Sequence, residues 1–287
     1  MTPPRTVLMT GCSSGIGLAC AHVLRQRGHR VIASARRQWD VAQLKGEGFD
    51  AVQLDLDSSA SIAQGMEQTL AQTSGRLDAV IHNAGFGQPG AVEDLPRQAL
   101  REQFETNLFG PIELTRHVMP VMRAQGAGRI VFVSSVLGFA AMPWRGAYNS
   151  SKFALEGMAD TLRLELRGSG ILVSLIEPGP ITSRFRAHSL EKLRAHIDIE
   201  ASVHLDKYEA VLNRLGGLAP TPFTLPPEAV ATKVAHAIES RRPRIRYRVT
   251  VPTHLFAWLK RGLPERWLDP LLALAGKSEG RTGKNGS

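Results

Sequence analysis

Val7-Leu8-Met9-Thr10-Gly11-Cys12-Ser13-Ser14-Gly15-Ile16-Gly17-Leu18 decides the fold of this chain. The first three residues are apolar and strand-prone, and the glycines follow them directly. A strand that ends in a glycine-rich turn and restarts as a helix is the opening unit of a phosphate-binding βαβ fold. Gly11, Gly15 and Gly17 allow a tight turn, close backbone approach to a pyrophosphate and close helix–strand contact. Free N–H groups at the helix start then meet negative phosphates. Ser13 and Ser14 add hydroxyl donors, and Ile16 lies among them.

Beyond this unit the chain alternates β-rich runs with helical patterns. Strands are expected at Thr6–Thr10, Arg30–Ser34, Ala51–Leu54, Ala79–His82, Arg129–Ser134 and Leu172–Ile176. Helices are expected near 16–27, 59–73, 97–124, 148–167 and 227–240. This βαβα rhythm implies an α/β fold with a doubly wound parallel sheet, whose ligands lie beyond the carboxyl ends of the strands. Motifs at Gly11, Asn83 and Ser135 all fall at such ends. The stretch of about 183–225 interrupts the alternation with mixed apolar and charged residues. It reads as a substrate lid or as two ordinary packing helices.

A second constellation carries chemistry. Tyr148 and Lys152 are four residues apart, and Ser135 precedes the tyrosine by thirteen. A phenol with its ordinary pKa near 10 is a poor base at neutral pH. A lysine one helical turn on shares its helix face, and a positive charge there favours the phenolate. The tyrosine then becomes usable as an acid or base. Ser135 is placed to hold the oxygen of a carbonyl or alcohol.

Composition sets outer limits. The chain has 287 residues, 43% hydrophobic and 21% charged, enough for one large α/β domain with a substantial core. No uncharged apolar stretch reaches a membrane-spanning length, and the N-terminus lacks signal-peptide features. Two cysteines, Cys12 and Cys20, suggest neither a disulfide framework nor a metal site, which fits a reducing cytoplasm. The net charge is +9, and five of the eight residues in Arg241–Arg248 are arginines. The run reads as a solvated face or a membrane-surface patch. No recognition module accompanies it, so nucleic acid is not expected as a partner.

At this point the residues resemble the short-chain dehydrogenases/reductases over about 5–250. The likeness is greatest to the branch of 17β-hydroxysteroid and retinol dehydrogenases and bacterial NADP-dependent aldehyde reductases. It rests on Val7–Leu18, Asn83-Ala84-Gly85, Asn107, Ser135, Tyr148 with Lys152, and Ser174–Ile181, in that order. The resemblance implies a Rossmann-type single domain over 1–250 that includes the lid. A C-terminal helical extension over 251–275 and a disordered tail over 276–287 complete the expected organisation.

The resemblance also implies roles. Tyr148 would exchange a proton with the substrate oxygen, Lys152 would lower its pKa and bind the nicotinamide ribose, and Ser135 would position the oxygen. Asn107 would hold a water linking Lys152 to solvent. Asp55 and Leu56 would lie near the adenine, with Asp55 alternatively a helix cap. Asn83, Ala84 and Gly85 would floor the cofactor site. Pro178, Gly179 and Ile181 would pass beside the nicotinamide, with its carboxamide contact open between Thr182 and Ser183. The second strand ends at Ala35, followed by Arg36 and Arg37 rather than by the acid that NAD sites favour. A guanidinium can grip a 2′-phosphate, so NADP(H) is the expected cofactor, with Arg36 the better match.

For substrate, Phe86, Leu137, Phe139, Met142 and Trp144 suggest an apolar pocket. His188, His196 and His204 read as surface residues, and no metal is expected. The expected activity is NADPH-dependent reduction of apolar aldehydes or ketones. Its alternatives are NADP-dependent oxidation of hydroxysteroid, retinoid or other lipid alcohols, and a non-catalytic NADP(H)-sensing role. Surplus apolar residues on the helices at 97–124 and 148–167 suggest a homodimer or homotetramer. The basic, Trp- and Leu-rich C-terminal region is a candidate for peripheral membrane contact of a cytoplasmic protein, or for folding back over the cleft.

Overall fold

The computed structural model describes residues 3–217 and 222–278. β1 (Thr6–Met9) leads into α1 (Gly15–Gln26), β2 (Arg30–Ala35) into α2 (Gln38–Gly46), and β3 (Asp50–Gln53) into α3 (Ser59–Gln72). After β4 (Ala79–His82), α4 (Arg97–Phe104) and α5 (Gly110–Gln125) form one long helix through a π-helical turn at Glu105–Phe109. β5 (Gly128–Val133) precedes α6 (Gly146–Glu165). β6 (Ile171–Glu177) precedes α7 (Phe185–His196), α8 (Leu205–Gly216) and α9 (Glu228–Glu239). β7 (Arg246–Arg248), α10 (Val251–Gly262) and α11 (Glu265–Ser278) follow.

All seven strands pair in parallel, in the order β3-β2-β1-β4-β5-β6-β7. The alternation of side chains along each strand splits the core in two. Val7, Met9, Ile81 and Val131 pack against Cys20 and Leu24 of α1 and Val230, Val234 and Ile238 of α9. Leu8, Val80, Ile130 and Phe132 pack against Ile62 of α3, Leu114 and Val118 of α5, and Leu155 of α6. Both faces of the sheet are therefore covered, which parallel strands require. The strand order reverses between β1 and β4, and the crevice at that switch holds the glycine turn and Asn83.

Several expectations change. α2 and β7 were absent from the sequence reading. β7 hides inside the basic run, because two of its three residues are arginines. Arg246 and Arg248 are not a solvated face: both turn inward and pair with the buried carboxylate of Glu177. The stretch 183–225 contains two helices, α7 and α8, whose Leu193, Ile197, Tyr208, Val211 and Leu215 pack on one another. Val203 and Leu205 stay exposed. α11 runs through Ser278, three residues into the tail expected over 276–287, and 279–287 lies outside the described residues. Pro252 sits in the first turn of α10, where no hydrogen bond is lost, and α11 continues through Pro270. Cys12 and Cys20 are free and buried, and burial pushes the Cys12 thiol up to about 12. No described helix is long and apolar enough to cross a membrane.

Candidate active site

The glycine turn is built around contacts that exclude side chains. Gly11 adopts φ +72 and Gly15 φ +58, both costly for other residues. A Cβ on Gly17 would stand 2.0 Å from the Gly11 carbonyl oxygen and 2.6 Å from Asn83 Nδ2. Ser14 caps α1 in extended conformation with no side-chain cap bond, leaving the first-turn N–H groups to an outside acceptor. Ser13 and Ile16 flank this opening. A turn that admits no Cβ and ends in free donors fits a dinucleotide pyrophosphate.

Thr10 holds the turn to β4, a role the sequence reading missed. Its hydroxyl donates to Ile81 O and accepts from the amides of Asn83 and Ala84, both at 3.0 Å. Asn83 Nδ2 donates to Thr10 O and Gly11 O at 3.0 and 3.1 Å. A hydroxyl between strand and glycine was the available signal.

Arg36 and Arg37 are exposed just past β2. Gln53 Nε2 donates to the Arg36 carbonyl at 3.0 Å, which fixes the backbone from which that guanidinium reaches out. Arg37 is the N-cap of α2. Asp55 does not cap α3. Ser58 does, accepting from Ser61 N, while Asp55 Oδ1 accepts from Asp57 N in a local turn. Leu56 is buried, its carbonyl pressed against Gly110.

Ser135 and Tyr148 meet beyond β5. Ser135 Oγ accepts from Leu137 N at 3.1 Å, and the Ser135 side chain acts on the Tyr148 phenol, drawing its pKa down. Burial raises the Tyr148 pKa to about 12, against the pull of the Ser135 bond and the Arg145 charge. The expected lowering by Lys152 does not prevail: its Nζ lies 5.8 Å from the tyrosine ring centroid and donates to Val133 O at 2.8 Å. Burial lowers Lys152 to about 8, opposed by the charge of Glu156 one turn further on. At neutral pH the phenol therefore keeps its proton, the state of a proton donor.

Asn107 lies in the π-helical turn, buried. Its Oδ1 accepts from Phe86 N at 3.1 Å, and its Nδ2 donates to Phe86 O at 2.9 Å and Ser151 Oγ at 3.3 Å. The amide is committed to pinning the Asn83-Ala84-Gly85-Phe86 loop, so a relay water would have to use the main chain. π turns inside α-helices concentrate at functional sites.

A buried charge cluster backs the lysine. Arg246 Nη2 lies 3.1 Å from Glu156 and 2.6 Å from Asp160, and Arg246 Nε lies 3.0 Å from Glu177. Arg248 Nε completes it, 3.3 Å from Glu177. Burial and the Glu156 charge hold Glu177 up at about 7 against both arginines. Glu177 ends β6, so the cluster links α6 to the Pro178–Ser183 loop. The i,i+4 spacing of Lys152 and Glu156 was the signal the sequence carried.

That loop crosses the cleft. Pro178 O accepts from Val136 N, and Gly179 packs so closely on Thr250 that a Cβ would sit 2.1 Å from its hydroxyl oxygen. Ile181 bridges to Leu225. Ser183 lies 3.1 Å from where a Gly15 Cβ would be, whereas Thr182 is exposed.

The apolar residues divide into two groups. Leu137, Met142 and partly buried Phe139 and Tyr148 form one cluster with Phe256 of α10 and Leu268 and Leu272 of α11. The C-terminal helices thus fold back over the tyrosine. Phe185 of α7 stands edge-on to Tyr148 at 5.4 Å, and Lys192 sits 4.8 Å over Phe86. Trp144 belongs elsewhere. It adopts φ +67 and packs edge-on against Tyr208 of α8 and His204 just before that helix. His196 and His204 are also more than surface residues, pairing with Glu102 and Glu93, while His188 is exposed. These pairs and the Tyr208 hydroxyl, 2.7 Å from Asp94, fasten α7 and α8 to the segment after β4.

Comparison with known proteins agrees with this geometry. The family model described as short chain dehydrogenase matches residues 5–194. The uncharacterized oxidoreductase YbbO of Escherichia coli strain K12 is 42% identical over 268 residues, 93% of this chain and 94% of that protein. Retinol dehydrogenase 8 of Bos taurus is 38% identical over 66% of this chain and 63% of its own length. The crystal structure of a short-chain dehydrogenase from Streptomyces avermitilis superposes with a TM-score of 0.71 at 27% identity, covering 90% of this chain and 95% of the other. With the glycine turn, the seven-stranded parallel sheet and the Ser135–Tyr148–Lys152 group in place, the chain belongs to the short-chain dehydrogenases and is an oxidoreductase acting on carbonyl or alcohol groups.

Proposed function

We propose that the protein is an NADPH-dependent reductase of apolar aldehydes or ketones. The observation that carries this reading is Tyr148 beside Ser135, packed beneath the apolar cover of α10 and α11, where burial raises its pKa and favours the protonated phenol. NADPH, when bound, supplies a hydride. Ser135 holds the carbonyl oxygen, and Tyr148 gives it the proton that makes the alcohol. Lys152 steadies the charge left on the phenolate and binds the nicotinamide ribose. Asn107 fixes the loop that floors the cofactor site. Gly11 to Gly17 and Asn83 to Gly85 receive the pyrophosphate side, Asp55 and Leu56 the adenine side, and Pro178 to Ser183 the nicotinamide side. Ser183, which faces Gly15, is better placed than Thr182 for the carboxamide.

The reverse reaction, oxidation of a hydroxysteroid, retinoid or other lipid alcohol, is the second reading, favoured by the likeness to a retinol dehydrogenase. It needs Tyr148 without its proton, which the raised pKa opposes near neutral pH. NADPH absorbance followed in both directions over a panel of aldehydes, ketones and alcohols tests the proposal. Reduction of medium-chain aldehydes is expected. Cofactor binding with no turnover on the whole panel would instead favour a sensing role and overturn it.

Arg36 is assigned to the 2′-phosphate. Such a charge-assisted bond contributes roughly 1.5–3 kcal/mol, or about tenfold to a hundredfold in affinity. Arg36→Ala is expected to weaken NADPH by that factor and to leave NADH nearly unchanged, read by fluorescence titration. Equal effects on both cofactors would refute the assignment.

Assembly into a homodimer or homotetramer is also proposed. Phe109, Phe153 and Met158 are exposed on the outer side of the α5 and α6 region, around a hollow lined by Leu108, Phe109, Ile112 and Met158. Light scattering at micromolar concentration should show a multiple of 31.2 kDa, and a monomer alone would reject it.

A further inference from the structure

We infer that α10 and α11, whose inner faces pack in the cluster with Tyr148, dock on an anionic lipid surface through their exposed apolar stripes. Each helix has two unlike faces. Phe256 and Ala257 of α10 and Leu268 and Leu272 of α11 are buried, most of them in the cluster that contains Tyr148. Exposed apolar stripes run along another face of each helix at helical spacing, opposite the buried side on α10 and about a quarter turn from it on α11. On α10 these are Val251, Leu255 and Trp258, at i, i+4 and i+7, with Trp258 73% exposed. On α11 they are Trp267, Leu271 and Leu274, at the same spacing, with Trp267 61% exposed. The inner faces of both helices meet one cluster, and both stripes stay in solvent outside it.

Two features select lipid as the occupant. Each stripe presents one tryptophan, whose ring has an apolar body and a polar edge and settles at the boundary of headgroup and acyl chain. The charge around the stripes is basic. No acidic residue occurs from Ser240 to Pro264, and exposed Arg261 and Arg266 flank the stripes. On a helical wheel Glu265 and Asp269 fall on the side of α11 away from Trp267, as they are two residues before and after it. An apolar face with tryptophan at its edge and arginine beside it is the composition of a helix lying in an interface. Attraction to anionic headgroups then adds to apolar burial.

This assignment goes beyond the reductase reading and does not require it. The two earlier expectations for the C-terminal region, covering the cleft and meeting a membrane, become the inner and outer faces of the same helices.

The test is co-sedimentation of the full chain with phosphatidylcholine vesicles, with and without phosphatidylglycerol. Tryptophan emission is recorded alongside. Binding to the anionic vesicles with a blue shift is expected, weaker on pure phosphatidylcholine. The double variant Trp258→Ser, Trp267→Ser is expected to lose about tenfold or more in partitioning, with its thermal melt unchanged because both side chains are already in water. Arg261→Glu with Arg266→Glu should weaken anionic binding and leave the melt unchanged. Failure of the wild-type chain to pellet with anionic vesicles would overturn the inference. So would binding that both double variants retain. Light scattering without lipid covers the remaining occupant: self-association that the tryptophan variant abolishes, with no vesicle binding, would assign the stripes to a second copy of the chain.

Discussion

Tyr148→Phe is expected to lower turnover by about 10²–10⁴-fold and to leave NADPH binding largely intact. The substitution deletes one hydroxyl and keeps the ring, so the edge-on contact with Phe185 and the packing under α10 and α11 remain. What disappears is the hydroxyl proposed as the proton donor, on which Ser135 acts. Steady-state rates on the best aldehyde, with a cofactor titration on the same sample, separate the two effects. A variant retaining more than roughly a tenth of the wild-type rate would show that the proton comes from elsewhere.

The second large effect is expected at Gly17. A methyl group there would lie 2.0 Å from the Gly11 carbonyl oxygen, inside any permissible contact. The partner is backbone, already pinned by Asn83 and by Thr10, so it cannot give way without displacing the turn. Gly17→Ala is therefore expected to cost roughly 1–3 kcal/mol of stability through overpacking. It should also weaken NADPH by about a hundredfold or more, since the pyrophosphate loses the approach the turn provides. Thermal melts and cofactor titration measure both. Gly46→Ala is the control: nothing lies within 4 Å of its Cβ position, and its backbone is helical, so stability should hold or rise slightly. Similar losses at both positions would mean that the close approach at Gly17 is not what matters.

The sequence made the fold legible where local chemistry and global position coincide. The apolar runs of β1 and β4 to β6 are buried on both faces, so continuous hydrophobicity identified them without alternation. β7 is hard to read because only Tyr247 of its three residues is buried, and the flanking arginines look solvent-facing until Glu177 is seen beside them. α2 was missed for a related reason: Gln38–Gly46 has almost no apolar stripe, and only Val41 and Leu44 reach the core with Asp40 beside them. At the site, Ser135, Tyr148 and Lys152 were visible from their spacing. The direction of the tyrosine's pKa was not, because spacing reports a nearby charge and only the folded surroundings report burial. The place of Trp144 just before α6 suggests a pocket residue, yet its left-handed backbone sets the ring against His204 and Tyr208.

The charge cluster at β7 constrains how the chain can be made. Glu156 is set in the helix that carries Tyr148 and Lys152, but the Arg246 that neutralises it arrives 90 residues later. During synthesis from the N-terminus, α6 and β6 emerge well before their cations. Burying this carboxylate ionised without its partner is costly, so α6 and β6 gain part of their hold on the sheet only when β7 arrives. The helix that carries Tyr148 and Lys152 thus reaches its full stability late. Nascent chains ending before Arg246 would present an unfinished sheet edge and open apolar surface, the form of the protein on which chaperones and proteases act.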